Sequence, residues 1–186
     1  MPSLLLTPPA VEPLSLAETR AWLRLDTTDE DATLAALITA ARNVVEQAAQ
    51  RLLIRQSWRV TLDSWPQDGL VRLPLAPVVS VEAVRVRGAS GAAVGLPVTA
   101  YALEAGREPA LLVLVAAVPQ PGVARGGIEI DLICGHADSA GGVPEPLRQA
   151  MRMLVARWFE NRGEEANAGL PPDVALLVAP YRRPRL

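Results

Sequence analysis

Hydrophobic positions recur at three- and four-residue steps near both ends of the chain and at two-residue steps through its middle, which predicts helices flanking a block of strands. Leu14-Ser15-Leu16-Ala17-Glu18 opens a first helix, with Ser15 at the N-cap and Glu18 three residues on, the spacing of a capping box that satisfies first-turn N–H groups. That helix is expected to end near Leu25. Thr28-Asp29-Glu30-Asp31 starts a second helix with carboxylates against the positive end of its dipole. Leu34, Leu37, Ile38, Ala41, Val44, Val45, Ala48 and Leu52 form one apolar stripe along it, and Ala35, Ala36, Ala40 and Ala49 leave room for close packing.

From Gln56 the period shortens to two. Trp58, Val60 and Leu62 alternate with Arg59, Thr61 and Asp63, so a strand follows the long helix. Ser64-Trp65-Pro66-Gln67-Asp68-Gly69 reads as a turn, with a short return strand over 70–73 and a further strand over 79–87 closed by Gly88-Ala89-Ser90-Gly91. More strands are expected over 101–104, 110–116 and 128–133. Glu129 and Asp131 alternate with Ile128 and Ile130, which predicts the solvated face of a strand rather than a general acid and base pair.

The helical period returns at Val143-Pro144-Glu145-Pro146, since proline is tolerated in a first turn. Leu147, Ala150, Met151, Leu154, Val155 and Trp158 make the stripe, arginines flank it, and Gly163 is a stop signal. Beyond it, Glu164 to Pro172 reads as a linker, and Asp173 to Leu177 has room for one or two helical turns. The end, from Leu176 to Leu186, is apolar, aromatic and basic, and Pro180 and Pro184 disfavour a helix or a central strand there. It reads as a docking segment with few core contacts, so a chain ending at Ala175 is expected to stay folded; plain terminal disorder is the other reading.

Composition narrows the function. The chain has 186 residues, enough to bury a real core, and at 50% apolar it is not disordered throughout. Aromatics are only 4%, so Leu, Val, Ile and Ala must fill the core, and 17 prolines imply many irregular connections. Net charge is -2 and all 18 basic residues are arginine, which argues against tight general nucleic-acid binding and leaves no lysine for Schiff-base chemistry. The opening leucine run lacks the basic flank of a signal peptide, and the apolar run 110–118 is too short to span a bilayer, so a water-soluble chain without membrane association is expected.

Candidate chemistry is sparse. Cys134-Gly135-His136-Ala137-Asp138-Ser139 gathers thiol, imidazole, carboxylate and hydroxyl, and would make Cys134 a nucleophile with His136 as base. Gly135 turns the chain between them, so a buried thiol followed by a polar loop is the preferred reading; one Cys and one His are also too few for a zinc site. Asp26, Asp29, Glu30 and Asp31 lack the glycine of a calcium loop, and helix capping accounts for them. No phosphate-binding glycine loop, nucleophile elbow or zinc-protease helix occurs, so no enzyme activity, cofactor or metal is expected. Surplus apolar surface and a sticky tail point instead to assembly.

Several stretches, taken in order, resemble a known family. Leu14-Ser15-Leu16-Ala17-Glu18 with Trp22-Leu23-Arg24-Leu25-Asp26, then Asp29-Glu30-Asp31 and the alanine-rich helix, are similar to the opening of tailed-phage head-to-tail connector, or adaptor, proteins, including those of gene transfer agents. Gln56-Ser57-Trp58-Arg59-Val60-Thr61-Leu62-Asp63, Leu73-Pro74, Val143-Pro144-Glu145-Pro146-Leu147-Arg148-Gln149-Ala150, Trp158-Phe159-Glu160-Asn161-Arg162 and Pro180-Tyr181-Arg182 resemble the same family in the same order. The resemblance spans nearly the whole chain. It implies a non-enzymatic ring subunit, commonly in twelve copies, between a portal protein and a stopper or tail-completion protein, made in the bacterial cytoplasm and carried in the neck of a particle. DNA would pass through the ring without sequence-specific binding. The resemblance also implies a portal-docking tail, here Leu177, Pro180, Tyr181, Arg182, Arg183, Arg185 and Leu186.

The fold class expected is α+β: a helical bundle-like connector core of three main helices, an inserted small antiparallel β subdomain and an extended C-terminal tail. Within a single adaptor domain over 1–186, the boundaries are N-terminal helices over 14–54, the β subdomain over 56–134, a C-terminal helix over 143–163, and linker and tail over 164–186. A host-encoded oligomeric protein-interaction module and, behind it, a small Cys/His hydrolase are the alternatives.

Overall fold

A computed structural model of the chain describes residues 1–161 and 169–183. It contains four helices, α1 (Leu16–Leu23), α2 (Asp31–Ala49), α3 (Glu145–Glu160) and α4 (Pro172–Val178). Eight strands accompany them: β1 (Ser3–Thr7), β2 (Gln56–Leu62), β3 (Leu70–Arg72), β4 (Val78–Arg87), β5 (Ala93–Gly95), β6 (Tyr101–Glu104), β7 (Leu111–Leu114) and β8 (Ile128–Cys134). They form two compact units, one of residues 1–10 and 55–135, the other of residues 11–54 and 136–186.

This architecture corrects the expected helical bundle-like core. The protein is a mixed α+β fold with two antiparallel sheets, and among the described residues the helices are four, not a bundle of three. The physical reason lies in β8, which is buried almost along its whole length and so serves as the centre of a five-stranded sheet with a core of its own.

In the β unit a five-stranded sheet runs in the order β1-β2-β8-β4-β5, and a three-stranded sheet in the order β3-β7-β6. Val60 and Leu62 of β2, Ile128, Ile130, Leu132 and Cys134 of β8, and Val84 and Val86 of β4 are all buried. Strand β1 has no counterpart in the periodicity argument. Its Leu4-Leu5-Leu6 run carries no alternation, and only pairing with β2 makes it a strand, with Leu4 opposite Arg59 and Leu5 opposite Trp58.

In the helical unit, Leu34, Ile38, Ala41, Val45 and Ala49 of α2 meet Leu147, Ala150, Met151, Leu154 and Val155 of α3 in one core, joined by Leu14, Leu53, Val174 and Val178. The stripe legible in the sequence is the buried face, although α2 stops at Ala49 because Gln50 turns left-handed at φ 55°. Glu46 ties α2 to the chain beyond its C-terminal end, its carboxylate accepting hydrogen bonds from Leu53 N at 2.8 Å and Arg42 Nη1 at 2.9 Å.

The two helix starts differ. At α1 the capping box is present: Ser15 Oγ accepts from Glu18 N at 3.1 Å, and Glu18 Oε2 accepts in return from Ser15 N at 3.5 Å. Ser15→Ala should therefore lower stability by about 1 kcal/mol, read as a lower urea midpoint with an unchanged slope. At α2 the expected acidic residue does sit against the positive end of the dipole, since Asp31 lies in the first turn and 3.5 Å from Arg20 of α1, but Glu30 at the N-cap makes no side-chain cap bond.

Candidate assembly surfaces

The tail expected to be extended is folded as far as Arg183. Pro171 and Pro172 lock the φ angles that start α4, and a helical period places Val174 and Val178 inward. Both are buried in the helical core, Val178 fully, while Leu177 and Tyr181 pack against the same core from its margin. A 3₁₀ turn over Ala179–Tyr181 accommodates Pro180, because a proline in a first turn forfeits no intrahelical bond. Two hydrogen bonds then hold the chain at the C-terminal end of α2: Arg51 Nε donates to Tyr181 O, and Arg183 N donates to Ala49 O, both at 3.0 Å. The second satisfies a carbonyl that the end of a helix leaves without an intrahelical partner.

Of the residues assigned to docking, Leu177 and Tyr181 are thus half-buried against their own unit, and Pro180 and Arg182 face outward. Arg183 is half-buried; Arg185 and Leu186 lie outside the described residues. Sequence reasoning began the tail at Leu176 but did not place it among the docking residues, although it is 74% exposed. The helical period could have found it, since a turn with Val174, Leu177 and Val178 inward leaves Leu176 on the outer side.

A second surface of the helical unit joins α1 to α3. Glu18 accepts hydrogen bonds from both Arg148 and Arg152, the latter at 2.7 Å. Glu145 pairs with the same two arginines, and Arg148 Nε also donates to Pro13 O at 3.0 Å. Burial alone would raise the Glu18 carboxyl, but the Arg152 hydrogen bond, the Ser15 N–H and the arginine charges hold it below the ordinary glutamate range. The Arg152 guanidinium also lies 5.9 Å from the ring centre of Trp22, an aromatic that is 47% exposed.

On the five-stranded sheet, Glu129 and Asp131 are buried, at 6% and 7% exposure, which corrects the expectation that they form a solvated face. Arginines from both flanking strands cover them. Arg59 of β2, directly opposite Asp131, clasps it through Nε at 2.7 Å and Nη2 at 3.0 Å, and Arg85 of β4 reaches it at 2.6 Å. Glu129 is held by Arg87 and stands 3.4 Å from Arg59. The Arg59 hydrogen bond outweighs burial and, with Arg85, holds the Asp131 carboxyl below the usual aspartate range. Every carboxylate oxygen here faces a guanidinium, so the pair offers no free base for proton transfer.

The Cys134 side chain is fully buried at the end of β8, and burial pushes its thiol up to about 12. It stays protonated at neutral pH and is a poor nucleophile, while His136 is exposed. Among the described residues no group of three His, Cys, Asp or Glu side chains could hold a metal ion, and no helix is long and apolar enough to cross a membrane.

Neither a protein-family model nor a curated protein matches the chain. Solved structures do. A chain in the neck of an empty gene transfer agent particle, computed with C6 symmetry, superposes with a TM-score of 0.84 at 30% sequence identity, covering 100% of this chain and 97% of that one. A chain in the virion of a native gene transfer agent particle gives 0.82 at 28% identity, and one in the native neck computed with C12 symmetry gives 0.80 at 29%, with the same coverage.

Proposed function

The chain belongs to the tailed-phage head-to-tail connector family that includes the adaptors of gene transfer agents, and from that membership we propose that it is the structural adaptor of a particle neck. Twelve copies form a ring between the portal and a stopper or tail-completion protein, and DNA passes through the ring during packaging and ejection. The observation that carries this reading is the 30% identity to a gene transfer agent neck chain across the entire length of this molecule and nearly all of the other, at a TM-score of 0.84. The cyclic symmetry of those necks supports the ring. The arginine-clasped carboxylates and the protonated Cys134 support a structural rather than a catalytic role. A net charge of -2 suits a channel that must not hold phosphates.

The tail docks onto the portal as a folded α4 and turn rather than as a free peptide. Pro180 and Arg182 face the partner, with Arg183, Arg185 and Leu186 continuing the contact, while Leu177 and Tyr181 brace the segment from behind. Arginine suits this task because its planar fork pairs bidentately with carboxylates and carbonyls.

Particles purified from producing cells test both statements. The unsubstituted chain should be found in the neck by imaging and should co-purify with the portal; its absence from the neck removes the adaptor reading. Arg182→Glu combined with Arg185→Glu should leave unfolding unchanged and reduce neck occupancy about tenfold or more. Full occupancy in that variant removes the docking role of the tail.

A further inference from the structure

A cyclic ring is built from head-to-tail contacts, so each copy must offer two different patches that face opposite ways. The five-stranded sheet has such a pair in its own two edges, β1 and β5. Every residue of both strands is exposed, and neither strand carries a charged side chain or a proline, common means of keeping an unpaired edge from taking a partner. The two edges also fit each other. Along an antiparallel pair, residues that bond to the partner strand alternate with residues whose N–H and C=O point away from it. Thr61 N donates to Pro2 O, which makes Pro2 and, two residues on, Leu4 the bonded positions, so Ser3 and Leu5 turn their backbone groups to the open edge of β1. Gly88 N donates to Ala92 O and Leu96 N to Val84 O, so by the same alternation Ala93 and Gly95 are the open positions of β5.

Direction and facing agree as well. The sheet is antiparallel at every junction, so β1 and β5 run the same way. A copy laid beside the next without turning the sheet over brings β5 against the neighbour's β1 in parallel, with both core faces on the same side. Leu5 lies opposite Trp58, and Val94 opposite Val86, so both side chains stand on the core face, where Val60 and Val86 are buried, yet both are exposed at its margins. Two parallel registers bring all the open residues into the ladder, one with Val94 beside Leu5 and one with Val94 beside Ser3. Only the first sets apolar against apolar.

We propose that successive copies of this chain join edge to edge, β5 of one pairing in parallel with β1 of the next and Val94 lying beside Leu5. Ala93 N then donates to Ser3 O, Leu5 N to Ala93 O and Gly95 N to Leu5 O across the junction. A second copy is the fitting occupant because one chain supplies both edges at opposite ends of a single sheet, so each copy gives one edge and receives the other until the ring closes. Pairing β1 with β1, or β5 with β5, would be antiparallel and would stop at a dimer. The proposal rests on the ring reading above.

Leu5→Cys and Val94→Cys, singly and together in the same chain, test the pairing in necks purified from producing cells. A short bis-maleimide should link the double variant into a ladder of copies and leave each single variant monomeric on a denaturing gel. Cys134 does not interfere, because it is fully buried and its thiol stays protonated. Necks of the double variant without a ladder, dimers from either single variant, or a link to a different protein overturn the proposal. Leu5→Pro and Ala93→Pro give an independent reading. Each removes an N–H that points to the open edge and takes no part in the sheet of its own copy, so thermal unfolding should stay close to the parent while neck-associated copies fall about tenfold or more. If a proline variant misfolds, the cross-link decides. Full neck occupancy with either proline variant overturns the proposal and leaves the adaptor function standing; absence of the unsubstituted chain from the neck defeats the function reading instead.

Discussion

Val178→Asp should destabilise the helical unit by about 4 kcal/mol or more, because Val178 is fully buried in the core and an unpaired carboxylate there has no compensating partner. Leu176→Asp, two residues away but 74% exposed, should stay within about 0.5 kcal/mol of the parent. Urea unfolding of the two variants side by side makes the comparison, and equal midpoints would mean that α4 is not docked on the core. By the same reasoning a chain ending at Ala175 is unstable rather than merely unable to dock. It loses Val178, the packing of Leu177 and Tyr181, and the two hydrogen bonds that hold Tyr181 and Arg183 to the end of α2. A truncation meant to test docking must therefore begin after Arg183.

The next largest effect is expected at Asp131. Asp131→Asn removes the charge that Arg59 and Arg85 share across the five-stranded sheet and should cost about 2–3 kcal/mol. The figure stays below that of a fully enclosed ion pair because the Arg59 and Arg85 side chains, at 28% and 33% exposure, can turn to water. The pH dependence is set by the sign of the shift. The folded state holds the Asp131 carboxyl below its unfolded value, so its contribution is complete above the unfolded aspartate value of about 3.9 and is lost as pH falls through the lower folded value. Parent and Asp131→Asn should thus differ most near neutral pH and converge in acid. A stability gap that stays constant from neutral pH into acid would show that the carboxylate is not clasped in this way.

Much of the helical unit was legible along the chain because its signals are local. The capping box of Ser15 and Glu18, the stripes of α2 and α3 and the proline start of α3 each involve residues within a turn or two, and the fold honours all of them. Glu129 and Asp131 were misread for the opposite reason. Alternation in β8 shows that they share a face, but whether that face meets water depends on Arg59, Arg85 and Arg87, which arrive from strands many residues away. Strand β1 escaped altogether, since Leu4-Leu5-Leu6 has no period until β2 pairs with it.

For the assembly surfaces the division is similar. An apolar, arginine-rich end without catalytic partners was enough to point to assembly rather than chemistry, and the order of motifs was enough to suggest the family. That the tail is folded to Arg183, with Tyr181 inward and Leu176 outward, depends on the carbonyl of Ala49 and the guanidinium of Arg51, which lie 134 and 130 positions earlier. The sequence by itself determined the helical periods, the start of α1 and the absence of a convincing nucleophile, because composition and short-range spacing carry them. Only the tertiary structure decided that β1 joins the sheet beside β2, that the carboxylates of β8 are clasped and that the C-terminal segment is docked, because each depends on groups distant in the chain that meet only when hydrophobic burial brings them together.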